Sequence, residues 1–314
     1  MAGARQELSV TVLGGSGFIG RHVVRRLLDA GVDVTAIQRG RGDGAPPPAR
    51  SLAADRADLD ALRAGLAQAA PAVLIDMIAY TAENVEGLLH SLPPSLERLV
   101  VISSGDVYWT YGAFLGHEPA GRASSPLDEK APLRRSRFPY RAMASGTEDM
   151  RYRYEKIDVE ELARDGAPVP VTVLRLPIVY GANDPQERVA GSLARLRSGG
   201  GTVRLNAAEA AWQCTRGYVE DVAAGIALSA LHDGAGGATY NLGELEALSE
   251  REWLETVAAA AGVECEVVPD PDVTPSLPVD WEIPLVTDTH RIRLELGYRE
   301  PVGRLEGLRR SVAG

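Results

Sequence analysis

Val10-Thr11-Val12-Leu13-Gly14-Gly15-Ser16-Gly17-Phe18-Ile19-Gly20, followed by Arg21-His22-Val23-Val24-Arg25-Arg26-Leu27-Leu28, decides the fold. An apolar run, Leu8 to Leu13, predicts a strand. It meets glycines at 14, 17 and 20, and an amphipathic pattern from about Gly17 to Ala30 predicts a helix directly afterwards. Each glycine has a physical task. One makes the tight turn out of the strand, one lets backbone approach a pyrophosphate without a Cβ, and the last lets the helix pack close to the sheet. The helix then presents free N–H groups and its positive dipole end to the phosphates. Gly14, Gly17, Phe18, Ile19 and Gly20 are therefore expected to bind a dinucleotide; a glycine-rich turn without a ligand is the alternative.

The next elements extend this unit. Gly31 ends the helix, and Val32 to Ile37 reads as a second strand. NAD-binding sheets close this strand with an acid that accepts from the ribose hydroxyls. Here Gln38 and Arg39 stand in its place. A cation without an acid favours a 2′-phosphate, hence NADP, with NAD still open; a surface arginine is the other reading. Gly40 to Pro48 is a Gly/Pro-rich loop. Ser51 to Ala54 is a short strand, and Asp55 is placed to meet adenine. Leu59 to Ala69 reads as a helix and Val73 to Ala79 as a strand covered on both faces. Ile78 and Ala79, at its end, join the cofactor set. Thr81 caps a helix over 84–92, and Leu99 to Ser103 is the fifth strand. This alternation predicts an α/β, Rossmann-type doubly wound parallel sheet with right-handed crossovers. Ligands then sit at the carboxyl ends of the strands, beside Ser103, Ser104 and Asp106.

Bulk properties bound the function. The 314 residues are 45% hydrophobic and 24% charged, which excludes a disordered or fibrous chain. A net charge of −10 leaves no general basic footprint for nucleic acid or an anionic membrane. Arg134-Arg135-Ser136-Arg137 reads as a solvated surface loop. Two cysteines, Cys214 and Cys265, have no metal-ligand spacing and suggest a reducing compartment. No metal site is expected. With no secretory leader or membrane-length apolar run, a cytoplasmic location is expected.

The chemistry is carried by Tyr152-Arg153-Tyr154-Glu155-Lys156, read as the opening of one helix that runs to Asp165. Tyr152 and Lys156, four apart, then share a face. A phenol is a poor base at neutral pH, and a nearby ammonium favours the phenolate. Ser104 at the strand-five end would hold a substrate carbonyl or alcohol against Tyr152. Of the tyrosines at 140, 152 and 154, only Tyr152 has a lysine four residues on. Asp106 is either an acid or base at the substrate or a turn-forming aspartate. The segment from Trp109 to Arg151 reads as a long polar loop, either a pocket wall or a flap.

These residues resemble the extended short-chain dehydrogenase/reductases, the NAD(P)-dependent epimerase/dehydratase superfamily. The resemblance covers nearly the whole chain. Gly14, Gly17 and Gly20 match its nucleotide loop. Ser103-Ser104-Gly105-Asp106-Val107-Tyr108 matches the strand-five signature, which makes Ser104 catalytic, and Tyr152 and Lys156 match the active pair, with Lys156 also on the ribose. Leu174-Arg175-Leu176-Pro177-Ile178-Val179-Tyr180-Gly181 resembles strand six, where the proline borders the nicotinamide. Arg216 falls in a segment whose arginine binds a nucleotide-sugar diphosphate in relatives; an ion pair with Glu220 or Asp221 is the alternative. Tyr240-Asn241-Leu242-Gly243 and Arg291 to Tyr298 resemble late motifs. Ser104-Gly105-Asp106 departs from the dehydratases' Thr-Asp-Glu, which disfavours dehydration.

The resemblance implies a dinucleotide-binding domain over 1–180, with returning segments near 215–243, and an interleaved, mainly substrate-binding lobe over 181–314. It also implies homodimers that pair through helices. The function read from all this is NAD(P)-dependent hydride transfer to or from a secondary alcohol or ketone of a sugar nucleotide or related metabolite. A reductase is favoured, an NAD-dependent epimerase is the alternative, and a non-catalytic NADP(H)-binding sensor is the second.

Overall fold

The computed structural model describes residues 8–40, 46–47, 49–121 and 125–313; positions 41–45 and 48 of the Gly/Pro-rich loop lie outside them. The strands, in chain order, are β1 (Ser9–Leu13), β2 (Asp33–Gln38), β3 (Arg50–Ala53), β4 (Val73–Asp76), β5 (Arg98–Ser104), β6 (Val171–Leu176), β7 (Ile178–Tyr180), β8 (Thr202–Leu205), β9 (Gln213–Cys214), β10 (Arg216–Tyr218), β11 (Thr239–Asn241), β12 (Leu248–Ser249) and β13 (Glu266–Pro269). The helices are α1 (Gly20–Asp29), α2 (Leu59–Ala69), α3 (Ala82–Leu89), α4 (Trp109–Phe114), α5 (Met150–Arg153), α6 (Lys156–Gly166), α7 (Arg188–Ser198), α8 (Ala207–Ala211), α9 (Val219–Leu231), α10 (Glu250–Ala261), α11 (His290–Leu296) and α12 (Arg304–Ala313).

Seven strands form one parallel sheet in the order β3-β2-β1-β4-β5-β6-β11. Two cores explain why its strands are apolar along their length. On one face Val10, Val12, Ala36 and Ile75 pack with Val23, Val24 and Leu27 of α1 and Val222 and Ile226 of α9. On the other, Leu13, Ile37, Leu74, Leu99 and Val101 pack with Leu62 and Leu66 of α2, Val85 and Leu88 of α3, and Val159 and Ala163 of α6. Strands buried on both sides need this pattern. The chain order reverses beside β1, and the carboxyl ends of β1, β4 and β5 open there, where such sheets bind ligands.

Several expected boundaries shift. β4 stops at Asp76, three residues early, because the Asp76 carboxylate accepts from the Ile78 N–H at 3.0 Å and from Arg56. Such a local side-chain bond turns the backbone out of a ladder. The loop after β5 contains a helix, α4, whose Phe114 stacks on Trp212 at 5.2 Å between centroids. β11 returns to the sheet edge beside β6 from the far side of the C-terminal segments. Those segments add a small parallel pair, β8 with β13, flanked by α7 and α10. No helix among the described residues is long and apolar enough to cross a membrane.

Candidate active site

The nucleotide loop has the geometry its glycines predict. Gly14 takes φ +87°, and the Gly17 N–H donates to the Gly14 carbonyl at 3.1 Å. A Cβ on Gly20 would overlap that carbonyl oxygen, and one on Gly14 would stand 2.7 Å from Ile78 Cγ2. The turn and the first turn of α1 are therefore pressed together as a dinucleotide cradle requires. α1 starts at Gly20 rather than Gly17, which leaves residues 14–19 as the turn. Phe18 and Ile19 pack against the core beneath it. Gln38 closes β2, buried, with its Nε2 on Ser51 Oγ and its Oε1 lacking a partner. Arg39 beside it is exposed. Asp55 is exposed too, and its carboxylate caps the Ala57 N–H. Arg56, which the sequence reading missed, is gripped bidentately by the fully buried Asp76.

A recess of about 560 Å³ opens at the ends of β5 and β6. Ser104, Asp106 and Pro177 line it, as do Tyr111, Tyr140 and Tyr154, none of which the sequence singled out as reactive. Asp106 is its centre. The carboxylate Oδ2 accepts from the hydroxyls of Tyr154 at 2.8 Å and Tyr140 at 3.0 Å, and Tyr140 also donates to or accepts from Tyr111 at 2.9 Å. Asp106 Oδ1 is buried without a partner. Burial pushes the Asp106 carboxyl pKa up, against the pull of Arg134 and the two phenols. Burial and the Asp106 charge hold Tyr154 and Tyr140 well above the usual phenol range, and Tyr111 rises to about 12.

The expected pair of Tyr152 and Lys156 on one helical face does not form. α5 ends at Arg153, Tyr154 and Glu155 are extended, and α6 begins at Lys156. The cause is Glu155, whose carboxylate accepts from the Ile157 N–H at 2.9 Å and restarts the helix. Tyr152 thereby turns out of the recess lining and packs under the Arg141 guanidinium, 4.7 Å from the ring centroid. The phenol that faces Ser104 and Asp106 is that of Tyr154. Its ring lies 5.8 Å from Lys156 Nζ.

Lys156 is buried. Its ammonium donates to the carbonyls of Ala79 at 2.5 Å and Ile102 at 2.8 Å, and so ties the segment after β4 to β5. Burial lowers its pKa to about 8, against the opposing charges of Asp106 and Asp76. The expected lowering of a phenol by this ammonium is absent at Tyr154, because burial and then the Asp106 charge push it up.

Two further readings are corrected. Arg134 is buried rather than solvated. It pairs with Glu155 at 3.0 Å and donates its Nε to the Asp106 carbonyl. Arg216 is paired with neither Glu220 nor Asp221 and does not line the recess. Its Nη2 meets Glu250 at 2.5 Å, and its guanidinium lies 4.6 Å from the Trp253 ring centroid. Ser103 also turns away, donating to Glu160 at 2.6 Å.

A glycine turn on a parallel sheet flanked by helices, with a hydroxyl, an acid and a phenol gathered beyond the end of β5, defines an α/β protein with a Rossmann-like fold. Residues 10–91 match the profile of the NAD dependent epimerase/dehydratase family. The whole fold is similar to that of the UDP-glucose 4-epimerase of Thermus thermophilus, solved in complex with NAD. That likeness has a TM-score of 0.68 and 26% identity, over 97% of each chain. A putative epimerase from Burkholderia cenocepacia J2315 shares the fold, with a TM-score of 0.71 and 21% identity over 98% of this chain and 97% of that one. Among curated proteins, the chloroplast stem-loop binding protein of 41 kDa b of Arabidopsis thaliana is 32% identical over 119 residues. That match spans 33% of this chain and 31% of the plant protein.

Proposed function

We propose that the protein is a nicotinamide-dependent enzyme that interconverts a secondary alcohol and a ketone, as a reductase or as an epimerase that passes through a ketone. One observation carries this reading: Ser104, Asp106 and Tyr154 converge on a single recess, bordered by Pro177 and backed by Lys156, at the ends of β5 and β6 in the sheet whose β1 leads into the glycine turn. Residues 14–20, with Gln38, Arg39, Ile78, Ala79 and Lys156, would hold the dinucleotide, and Asp55 would reach adenine. The nicotinamide, when bound, supplies or removes a hydride.

The chain's own part is positioning and proton handling. Ser104 offers a hydroxyl to the substrate oxygen. Tyr154 is kept protonated by burial and the Asp106 charge; its O–H is given to Asp106 Oδ2, which orients the phenol, and turning that one O–H to the substrate oxygen would make it the proton donor. Lys156 ties the backbone that follows β4 to β5, whose last residue is Ser104. In this reading residues 1–180, completed by the strand near Tyr240, are the nucleotide domain, and most of 181–314 shapes the substrate side.

A second reading, a non-catalytic nucleotide binder, draws on the break between α5 and α6 that parts Tyr152 from Lys156. Titrating NADH and NADPH and then following nicotinamide absorbance with candidate ketones separates the two. Binding with turnover supports the enzyme. Binding with no turnover of any ketone supports the sensor. Arg39→Ala tests cofactor choice: a 2′-phosphate role predicts that its NADPH preference falls, and an unchanged preference removes Arg39 from that role.

A further inference from the structure

Four side chains at the recess lie on one hydrogen-bonded line, and with Asp106 ionised each bond in it has a fixed direction. A carboxylate oxygen only accepts, so Tyr140 and Tyr154 both donate to Asp106 Oδ2, at 3.0 and 2.8 Å. Tyr140 has then given its one proton, so its 2.9 Å contact with Tyr111 makes Tyr111 the donor. The line runs from Tyr111 to Tyr140 to Asp106, and Tyr154 donates from the other end. All three phenol-bearing residues line the recess. The Tyr140 ring lies 5.2 Å from that of Tyr154 and meets that of Tyr111 edge-on at 6.3 Å.

The backbone is built to deliver Tyr140. Phe138, two residues earlier, takes φ +57°, in the left-handed region that a bulky side chain rarely adopts. Its N–H donates to Glu155 at 2.7 Å, and the Arg141 guanidinium lies 3.7 Å from its ring centroid. Such a turn persists only where surrounding contacts over-determine it, and such turns cluster at working sites.

In the enzymatic reading, Tyr154 is a phenolate once its proton has gone to the substrate oxygen. That anion would face the Asp106 carboxylate, two like charges in contact. We propose that Tyr111 and Tyr140 reprotonate Tyr154 through Asp106 Oδ2. The Tyr140 proton passes to Oδ2 and on to the Tyr154 oxygen, and the Tyr111 proton passes to Tyr140. The negative charge thus moves from Tyr154 to Tyr111, where a solvent proton removes it. In sum, one hydride and one solvent proton are added across the ketone. Burial lifts the Asp106 carboxyl, which readies it to carry the proton in passing. Burial also raises the Tyr111 phenol, but Arg134 and Arg188 pull it towards its ionised form. The inference rests on the enzymatic reading and adds Tyr111 and Tyr140 to it as residues that act through Tyr154.

The test is stopped-flow nicotinamide absorbance on the whole protein, with NADH or NADPH, whichever binds, and cyclohexanone as the probe ketone. The first turnover uses the proton already on Tyr154; later ones need the relay. Tyr140→Phe and Tyr111→Phe are each expected to raise the ratio of first-turnover rate to steady-state rate about tenfold or more over wild type. An equal loss of both rates, the mark of a merely structural role, overturns the proposal, and so does an unchanged ratio. Tyr111→Phe decides alone should Tyr140→Phe fail to fold. NMR of protein carrying tyrosine labelled at Cζ with carbon-13 needs no turnover. There Tyr111→Phe is expected to shift the Tyr154 resonance, because hydrogen bonds in a line polarise one another. No shift overturns the proposal whatever the kinetics. Nucleotide binding without turnover of cyclohexanone or any other ketone brings down the enzymatic reading and the relay with it. Turnover with an unchanged ratio brings down the relay alone.

Discussion

Glu155 and Arg134 form an ion pair in which neither side chain touches solvent. The Glu155 oxygens also accept from the Phe138 and Ile157 N–H groups, and Arg134 donates to the carbonyls of Asp106 and Ser136. One carboxylate therefore starts α6, anchors the loop that carries Tyr140, and steadies the backbone of Asp106.

Removing one partner of such a pair strands a buried charge, at about 3–5 kcal/mol. Glu155→Gln is expected to lower stability by that order in urea unfolding. The double variant Glu155→Leu/Arg134→Leu should recover part of the loss. A change under about 1 kcal/mol for Glu155→Gln would show that the pair contributes little.

Tyr154→Phe and Tyr152→Phe separate the two phenols. If Tyr154 handles the proton, its loss lowers turnover by about 10²–10⁴ and leaves nucleotide affinity nearly unchanged. Tyr152→Phe should leave turnover intact. The reverse pattern would restore Tyr152 to the mechanism and place the α5–α6 break outside it.

Gly20→Ala addresses the cradle. Its new Cβ would press on the Gly14 carbonyl, a backbone atom that cannot swing aside. Stability should fall by about 1–3 kcal/mol, and NAD(H) affinity should fall more than tenfold, measured by calorimetry. Wild-type affinity in this variant would remove the close turn from nucleotide binding.

Lys156 gives a pH signature. Its folded pKa, about 8, lies below the usual 10.5. Between those values the unfolded chain binds more protons, so its contribution to stability rises with pH across the window. Below pH 8 the buried ammonium disfavours folding fully. The stability of wild type relative to Lys156→Met should therefore climb from pH 8 towards 10.5. A flat difference would mean that the ammonium is not desolvated.

Much of the N-terminal half of the sheet was legible because its signals are local. Gly14, Gly17 and Gly20 act within one turn, and Thr81 caps α3 by accepting from the Asn84 N–H, as its position suggested. The site was harder to read because it depends on one break. A four-residue spacing between Tyr152 and Lys156 implies a shared face only if the helix is continuous, and Glu155 is not among the preferred N-cap residues. Its capping role depends on Arg134, twenty-one positions earlier, and no local pattern shows that contact. Arg134 was misread for the same reason, since a run of arginines looks solvated until a buried carboxylate meets it. One signal was available: five of the ten tyrosines fall between 108 and 154, beside Asp106.

The edge strand β11 has a temporal meaning. It lies against β6, yet about sixty residues of the other segments separate them in the chain. While the protein is being synthesised, β6 must wait with an open row of amide groups until residues 239–241 have emerged, and a long loop must close to seal it. The nascent chain is thus most exposed to wrong pairing in that interval, so variants that slow the arrival or docking of β11 should show their effect first in yield of folded protein.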